Sequence, residues 1–349
     1  MKLLIVTQKV SKNDDVLGFF HRWIAEFAAH VEFVTVICLE KGEYDLPQNV
    51  RVLSLGKEMG ICRLKYLSRF YRYIASERAN YDVVFVHMNP VYVVLGAPVW
   101  HLWKKKIALW YTHRNVDWTL RVATHYADMI FTATQESFRI KTPKLKILGH
   151  GIFTEDLARP SGYKKDAAKR ITLVSVGRLT PIKNLDILIE AIALLRADGV
   201  DCEVLLVGGA IMPGDDAYVE YLRKIIREKR LEDVIHFVGS VPNKEVMQYY
   251  WKSDISINLA PTGGIDKAVL ESMAAGTPAI VANKAFAEYF GAYKDDLIFK
   301  EGDAKDLSLK IIALMERKDK DAVTEFLVRA VREKGSATTL IQRIIENIS

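Results

Sequence analysis

The sequence is poor in the features that would tie it to a disulfide scaffold, a metal site or a membrane span. Its 3 cysteines, Cys38, Cys62 and Cys202, are odd in number and far apart, with no Cys-x-x-Cys pair and no neighbouring histidine. Neither a disulfide framework nor a zinc site is expected. No apolar run approaches the ~20 residues that a bilayer-spanning helix needs. The longest, Val91 to Trp103, is broken by Pro98 and His101. The amino terminus carries a lysine and a short apolar run that stops at Thr7 and Gln8, which fits a buried first strand and not a signal peptide. Nothing here predicts export, so a cytoplasmic location is expected, at most at the inner face of the membrane. The basic excess is also small, 49 Lys and Arg against 43 Asp and Glu, for a net charge of +6. Such a balance suits an anionic ligand or an anionic surface, but it is too mixed in sign along the chain to suggest nucleic acid.

What is present is the composition of a globular protein, 349 residues of which 50% are hydrophobic and 26% charged. Single cores stop growing efficiently beyond ~250 to 300 residues, so two domains are expected. Short apolar β-rich runs alternate with stretches of helical period, the pattern of βα units around parallel sheets. The fold class expected is therefore α/β, with two Rossmann-like domains. A first series of strands is expected at Lys2 to Thr7, Val34 to Cys38, Val50 to Leu53, Val83 to His87, Ile107 to Tyr111, Met129 to Thr132 and Leu145 to Leu148. A second follows at Thr172 to Val176, Glu203 to Val207, Ile235 to Val238, Ile255 to Ile257, Ala279 to Val281 and Leu297 to Phe299. The polar, lysine-rich segment from Asp156 to Lys169 reads as the linker, and Ala304 to Ser349 as three helices. The boundaries expected are residues 1–152 for the first domain and 153–332 for the second, with 333–349 packing back on the first. Ligands of such sheets bind at the carboxyl ends of the strands, and a cleft between the domains is the expected place.

Two segments carry chemistry. In Val174-Ser-Val-Gly177-Arg178-Leu-Thr-Pro181-Ile-Lys183-Asn184, a buried strand ends at Gly177 and a helix begins close to Asn184. A lysine at a helix start opposes the helix dipole and is a poor choice for stability. Beside Arg178 it makes sense as half of a clamp for a diphosphate; two solvated charges on an ordinary loop would give the same pattern. The second segment runs Asn258-Leu-Ala-Pro-Thr-Gly263-Gly264-Ile265-Asp266-Lys267-Ala-Val-Leu-Glu271, with Gly276 and Pro278 closing the helix. Gly263 and Gly264 allow a close approach of backbone to ligand. Glu271 is suited to accept hydrogen bonds from vicinal hydroxyls such as those of a ribose. The plainer reading is an i,i+4 pair of Lys267 with Glu271, in the less favourable order.

With these residues in view, Gly-Arg-Leu-Thr-Pro-Ile-Lys-Asn followed by Ala-Val-Leu-Glu-Ser-Met-Ala-Ala-Gly-Thr-Pro resembles the donor domain of the family 4 retaining glycosyltransferases, which have the GT-B fold. The resemblance is strong over Ile171 to about Phe290 and rests on element order in the first domain. It implies a nucleoside diphosphate sugar as donor and no further cofactor, with Arg178 and Lys183 as the catalytic cations on the diphosphate. It further implies that Glu271 binds the ribose, that Gly177 and backbone near Gly263, Gly264 and Ile265 hold sugar or phosphates, and that Val241 flanks the nucleobase. No metal is implied, and the sequence has no acidic DxD pair at a strand end. One position departs from the pattern: where the family has a second glutamate, this chain has Gly263, and Asp266 is the nearby residue able to substitute.

On the acceptor side, His113 follows a predicted strand in Tyr111-Thr112-His113-Arg114. In similar enzymes a histidine so placed approaches the transferred sugar; by itself it reads equally as structural. The loop from Lys9 to Gly18 keeps a single glycine, Gly18, so Asn13, Asp14 and Asp15 are the acceptor-side candidates. Residues 60–80 interleave Arg63, Lys65, Arg69, Arg72 and Arg78 with Tyr66, Leu67, Phe70, Tyr71 and Ile74. That is a basic amphipathic helix, fit for an anionic bilayer or for an ordinary surface position over a buried stripe. The activity expected is transfer of a sugar to an acceptor hydroxyl of a glycan, polysaccharide or glycolipid. A sugar-nucleotide epimerase of the same fold and a catalytically silent binding subunit are the alternatives.

Overall fold

The computed structural model describes residues 1–349 except 15, 16, 114, 161 and 164–169, and except the side chain at 243. It divides into two compact units, Met1–Gly151 with Ala337–Ser349, and Ile152–Ser336.

The first unit holds strands β1 (Lys2–Val10), β2 (Phe33–Lys41), β3 (Val50–Ser54), β4 (Val83–His87), β5 (Lys106–Trp110), β6 (Met129–Thr132) and β7 (Leu145–Ile147). They form a parallel sheet in the order β3-β2-β1-β4-β5-β6-β7. Covered on both faces, its central strands must be apolar throughout, and Leu3, Leu4, Ile5 and Val6 are accordingly fully buried. The terminal helix Ala337–Ile348 belongs to this unit and buries Leu340, Ile341, Ile344 and Ile348, packing beside the helix Gly18–His30. β1 runs past the expected end at Thr7. Lys9 lies in the strand opposite Glu40, and its ammonium is paired with Glu40 at 2.7 Å and Asp14 at 2.9 Å, so the ladder tolerates a charge there.

The second unit holds β8 (Ile171–Val176), β9 (Cys202–Val207), β10 (Ile235–Gly239), β11 (Ile255–Asn258) and β12 (Ala279–Val281) in the order β10-β9-β8-β11-β12. Both sheets thus grow outward in two directions from their first strand. The direction reverses between β1 and β4 in one unit and between β8 and β11 in the other, and a crevice opens at the carboxyl ends of such a pair. The expected strand Leu297 to Phe299 is corrected: Lys294–Leu297 is a helical turn, and only Ile298 bridges to Val281. A three-residue apolar run cannot be told from the buried end of a helix by pattern alone. Of the expected linker, Leu157 accepts a hydrogen bond from the Trp251 indole at 2.9 Å, and residues 161 and 164–169 lie outside the described residues.

A backbone crossing fixes the carboxyl end of β8 against that of β9. Gly208 has φ +139°, and a Cβ there would sit 1.9 Å from the Gly177 carbonyl oxygen. Gly177 itself has φ +145°, with room for a Cβ only 3.3 Å from Lys183 Cε. Both conformations are strained for any side chain. Gly208→Ala is therefore expected to lower stability by roughly 3 kcal/mol, since it combines a disfavoured φ with a backbone clash. A thermal unfolding scan checks it, and an unchanged transition would show that the crossing is not tight.

Candidate functional site

The carboxyl ends of β8 and β11 bring the two sequence motifs together. After β8 the chain makes a tight turn at Pro181–Lys183, and Asn184 enters the left-handed region at φ 47° before the helix Leu185–Ala197. Asparagine is among the few residues that adopt this conformation readily, and its amide reaches across to the Leu259 carbonyl at 3.3 Å, just beyond β11. The helix lacks a side-chain cap of its own. The Tyr218 hydroxyl supplies part of that role by accepting the Leu185 N–H at 2.8 Å.

Lys183, the cation at this helix start, is paired with Asp266. Asp266 caps the helix Lys267–Ala274 by accepting the Ala268 N–H at 3.2 Å, and it also accepts the Asn258 amide at 2.9 Å. Both charges are mostly covered, with side chains 19% and 23% exposed. Burial works against the Asp266 carboxylate, but Lys183 and Asn258 outweigh it and hold the carboxyl below its ordinary range. Removing one partner of such a pair would strand the other charge in a poorly solvated place.

Beside this pair lies a second charged set. Glu271, one helical turn past Lys267, keeps a partly exposed side chain in a densely surrounded position. Burial pushes its carboxyl up to about 7, with Asp266 adding to the rise and Lys267 opposing it. Burial also lowers the Lys267 ammonium, against the attraction of Glu271. The fully buried Tyr250 donates to the Ala268 carbonyl at 3.0 Å, and burial, then the charges of Glu271 and Asp266, drives its hydroxyl well up. A carboxyl and an amine both shifted toward neutrality, one helical turn apart, are the kind of perturbed pair that gathers at ligand sites.

Arg178 is exposed at the end of β8. Its neighbour is Asp215, whose carboxylate accepts the N–H groups of Met212 at 2.9 Å and Ile211 at 3.2 Å. Those backbone bonds lead in holding the Asp215 carboxyl down, with Thr180 and the Arg178 charge adding to them. The loop after β9 is joined to that after β8 through Leu179 N–H to the Gly209 carbonyl at 3.0 Å. Gly263 is buried, with its N–H directed at Asn283 Oδ1 at 3.4 Å, while Asn283 Nδ2 donates to the Gly264 carbonyl at 3.0 Å. The glycine pair is thus clasped by a buried asparagine. Ile265 and Val241 are partly buried against the core.

In the first unit, His113 lies exposed just past β5, its Nδ1 accepting the Asn115 N–H at 3.4 Å. Asn13 donates to Glu43 at 2.9 Å. Asp14 is engaged by Lys9 and by the Leu17 N–H at 2.7 Å, next to the start of the helix at Gly18. Asp15 lies outside the described residues. Asn283, Asn258, Tyr218, Asp215 and the Gly208-Gly209 pair were not singled out from the sequence. Of these, only the glycine pair ending a β-rich run carried a readable signal.

The fold is that of the GT-B glycosyltransferases. The crystal structure of Anabaena Alr3699/HepE in complex with UDP superposes with a TM-score of 0.74 at 17% identity, covering 100% of this chain and 99% of that one. Residues 163–325 match the family described as glycosyl transferases group 1. The Salmonella typhimurium protein named as the colanic acid biosynthesis glycosyltransferase WcaL is 33% identical over 171 residues, 47% of this chain and 40% of that protein. The amylovoran biosynthesis glycosyltransferase AmsK of Erwinia amylovora is 28% identical over 153 residues, 42% of this chain and 36% of that protein. The chain thus matches less than half the length of these curated relatives.

The raised carboxyl of Glu271 has a signed consequence for stability. Between about 4.5 and about 7 the native state holds this proton more tightly than the unfolded chain, so stability falls as pH rises through that window. Glu271→Gln should therefore raise the melting temperature at about pH 8, with the gain vanishing below about pH 4.5. An equal gain at both ends of a pH series of melting curves would contradict the assignment.

Proposed function

We propose that the protein is a retaining glycosyltransferase that moves a sugar from a nucleoside diphosphate sugar to an acceptor hydroxyl in the assembly of a glycan, polysaccharide or glycolipid. The observation that carries this reading is the Lys183–Asp266 pair at the topological switch of the second sheet, with Arg178 leaving the same strand end. A lysine held at a helix start by a carboxylate is a site for an anion that can take the carboxylate's place. The match of residues 163–325 to glycosyl transferases group 1 and the names of the polysaccharide-biosynthesis relatives support the activity. UDP, which the Anabaena structure contains, is the first diphosphate to test.

In this reading Lys183 and Arg178 neutralise charge growing on the departing diphosphate, so that the protein itself supplies the role a metal would have. Glu271 accepts from the ribose hydroxyls, and above a pH of about 7 it does so as the carboxylate. Asp266, released from Lys183, faces the sugar where Gly263 offers no side chain. Gly177, Gly264, Ile265 and Val241 line the donor, His113 orients the sugar, and Asn13, Asp14, Asp15 and Gly18 belong to the acceptor side. The departing phosphate oxygen takes the acceptor proton, and transfer proceeds on one face with retention. The acceptor is a glycan or a lipid-linked one, met at the inner face of a membrane through residues 60–80.

Incubation with a panel of nucleotide sugars, with and without acceptor, separates the readings. Acceptor-dependent transfer is expected; acceptor-free epimerisation or binding alone would replace the proposal. Arg178→Ala should lower turnover by about 10²- to 10³-fold, roughly 3 kcal/mol, as for loss of one preorganised donor to a developing anion. Near-normal turnover would refute its role. Asp266→Asn keeps the helix cap, since asparagine caps as well as aspartate, but frees Lys183. UDP should then bind more tightly by calorimetry, whereas weaker binding would mean that Asp266 is needed to aim the lysine.

A further inference from the structure

The helix Arg63–Ser76 and the turn before it differ from the surface around them. From Met59 to Ser76 the sequence has 4 cations, Arg63, Lys65, Arg69 and Arg72, and no carboxylate. The nearest acids are occupied elsewhere: Glu58 accepts from the Lys41 N–H and the Ser54 hydroxyl, and Glu77 is buried and paired with Arg51 at 3.1 Å.

The structure sorts the side chains of this helix. Phe70 and Ile74 are buried, and Tyr66 and Tyr73 pack against the same core. Arg69 folds back toward the Leu55 carbonyl at 3.3 Å and the Met59 sulfur at 3.6 Å. Arg78 lies over the Trp103 ring at 4.9 Å. What remains outside is a second apolar stripe: Leu64 is 77% exposed, Met59 62%, Tyr71 38% and Leu67 36%. At about 100° per residue, Leu67, Tyr71 and Leu64 share a sector of roughly 60° beside the buried face. Arg72 and Lys65 stand exposed beyond it, and Arg63 at the helix start. A helix that needed only to cover the core would have no use for the second stripe.

We infer that this face docks on an anionic lipid bilayer, with Met59, Leu64 and Leu67 entering the interface and Arg63, Lys65 and Arg72 meeting the lipid phosphates. Charge complementarity selects that occupant: three exposed cations without an intervening acid fit a sheet of anionic headgroups, and an apolar ridge beside them fits the acyl boundary. A second copy of this chain would present the same cations and repel it. The contact is peripheral, because no helix among the described residues is long and apolar enough to cross a membrane. The inference rests on the proposed contact of residues 60–80 with a membrane and deepens it by naming the lipid charge and the side chains that meet it, and its test needs neither donor nor acceptor.

The test is co-sedimentation of the full chain with vesicles of phosphatidylcholine alone and of phosphatidylcholine with an equal part of phosphatidylglycerol. Binding to the anionic vesicles is expected, weakening with added salt. The triple substitution R63Q/K65Q/R72Q should reduce the partition coefficient by about 10²-fold, and Met59→Ser with Leu64→Ser should reduce it while leaving the salt dependence in place. UDP calorimetry on each variant reports whether the donor site is intact, so loss of docking and failure of the donor reading give different results. Equal binding by wild type and the charge variant, no preference for anionic vesicles, or a dimer in sedimentation velocity that Leu64→Ser dissolves would each overturn the inference.

Discussion

The second unit is organised around a lysine in a place where a lysine is unfavourable. Lys183 stands where the partial positive charge of the Leu185–Ala197 helix is concentrated, and Asp266, from the loop after the neighbouring strand, compensates it. Much of the surrounding architecture serves to bring that carboxylate there. The reversal of strand order between β8 and β11 makes their carboxyl-end loops neighbours. The left-handed turn at Asn184 aims the chain, the amide of Asn258 donates to the same carboxylate oxygen that Lys183 engages, and the glycine crossing at Gly177 and Gly208 leaves room for the lysine stem. The result is two mostly covered charges that compensate each other.

The charges behind it follow from the same constraint. Burial makes ionisation of Glu271 harder, Lys267 opposes it, and the field of the Asp266 carboxylate adds to the rise. A site assembled only for stability would place an amide or a methyl group there. Retaining two carboxylates and two amines in one crevice costs free energy that a bound polyanion with hydroxyl groups could return.

The fold was legible because both sheets announce themselves by short apolar runs of the right length, each followed by glycine or by a helical period. Arg178, Lys183 and Glu271 could be chosen because they fall where a strand gives way to a helix. Their pairing was not legible: Lys183 and Asp266 are 83 residues apart, and only the sheet order makes them neighbours. Asn283 is hydrogen-bonded to both Gly263 and Gly264, yet an asparagine after a strand is too common to attract notice. At residues 60–80 the sequence offered one amphipathic stripe, whereas the structure separates a buried stripe from an exposed one and folds Arg69 back onto Leu55 and Met59. Leu297 to Phe299 shows the opposite limit, where three apolar residues were too few to distinguish a strand from a helix end.

The proposed function requires Lys183 to exchange Asp266 for a diphosphate. A crystal structure of the chain with UDP tests this most directly. The expected result is Lys183 Nζ at about 3 Å from a phosphate oxygen, Asp266 released from it, and the Arg178 guanidinium on the same diphosphate. UDP seated elsewhere, with the Lys183–Asp266 pair still closed, would contradict it.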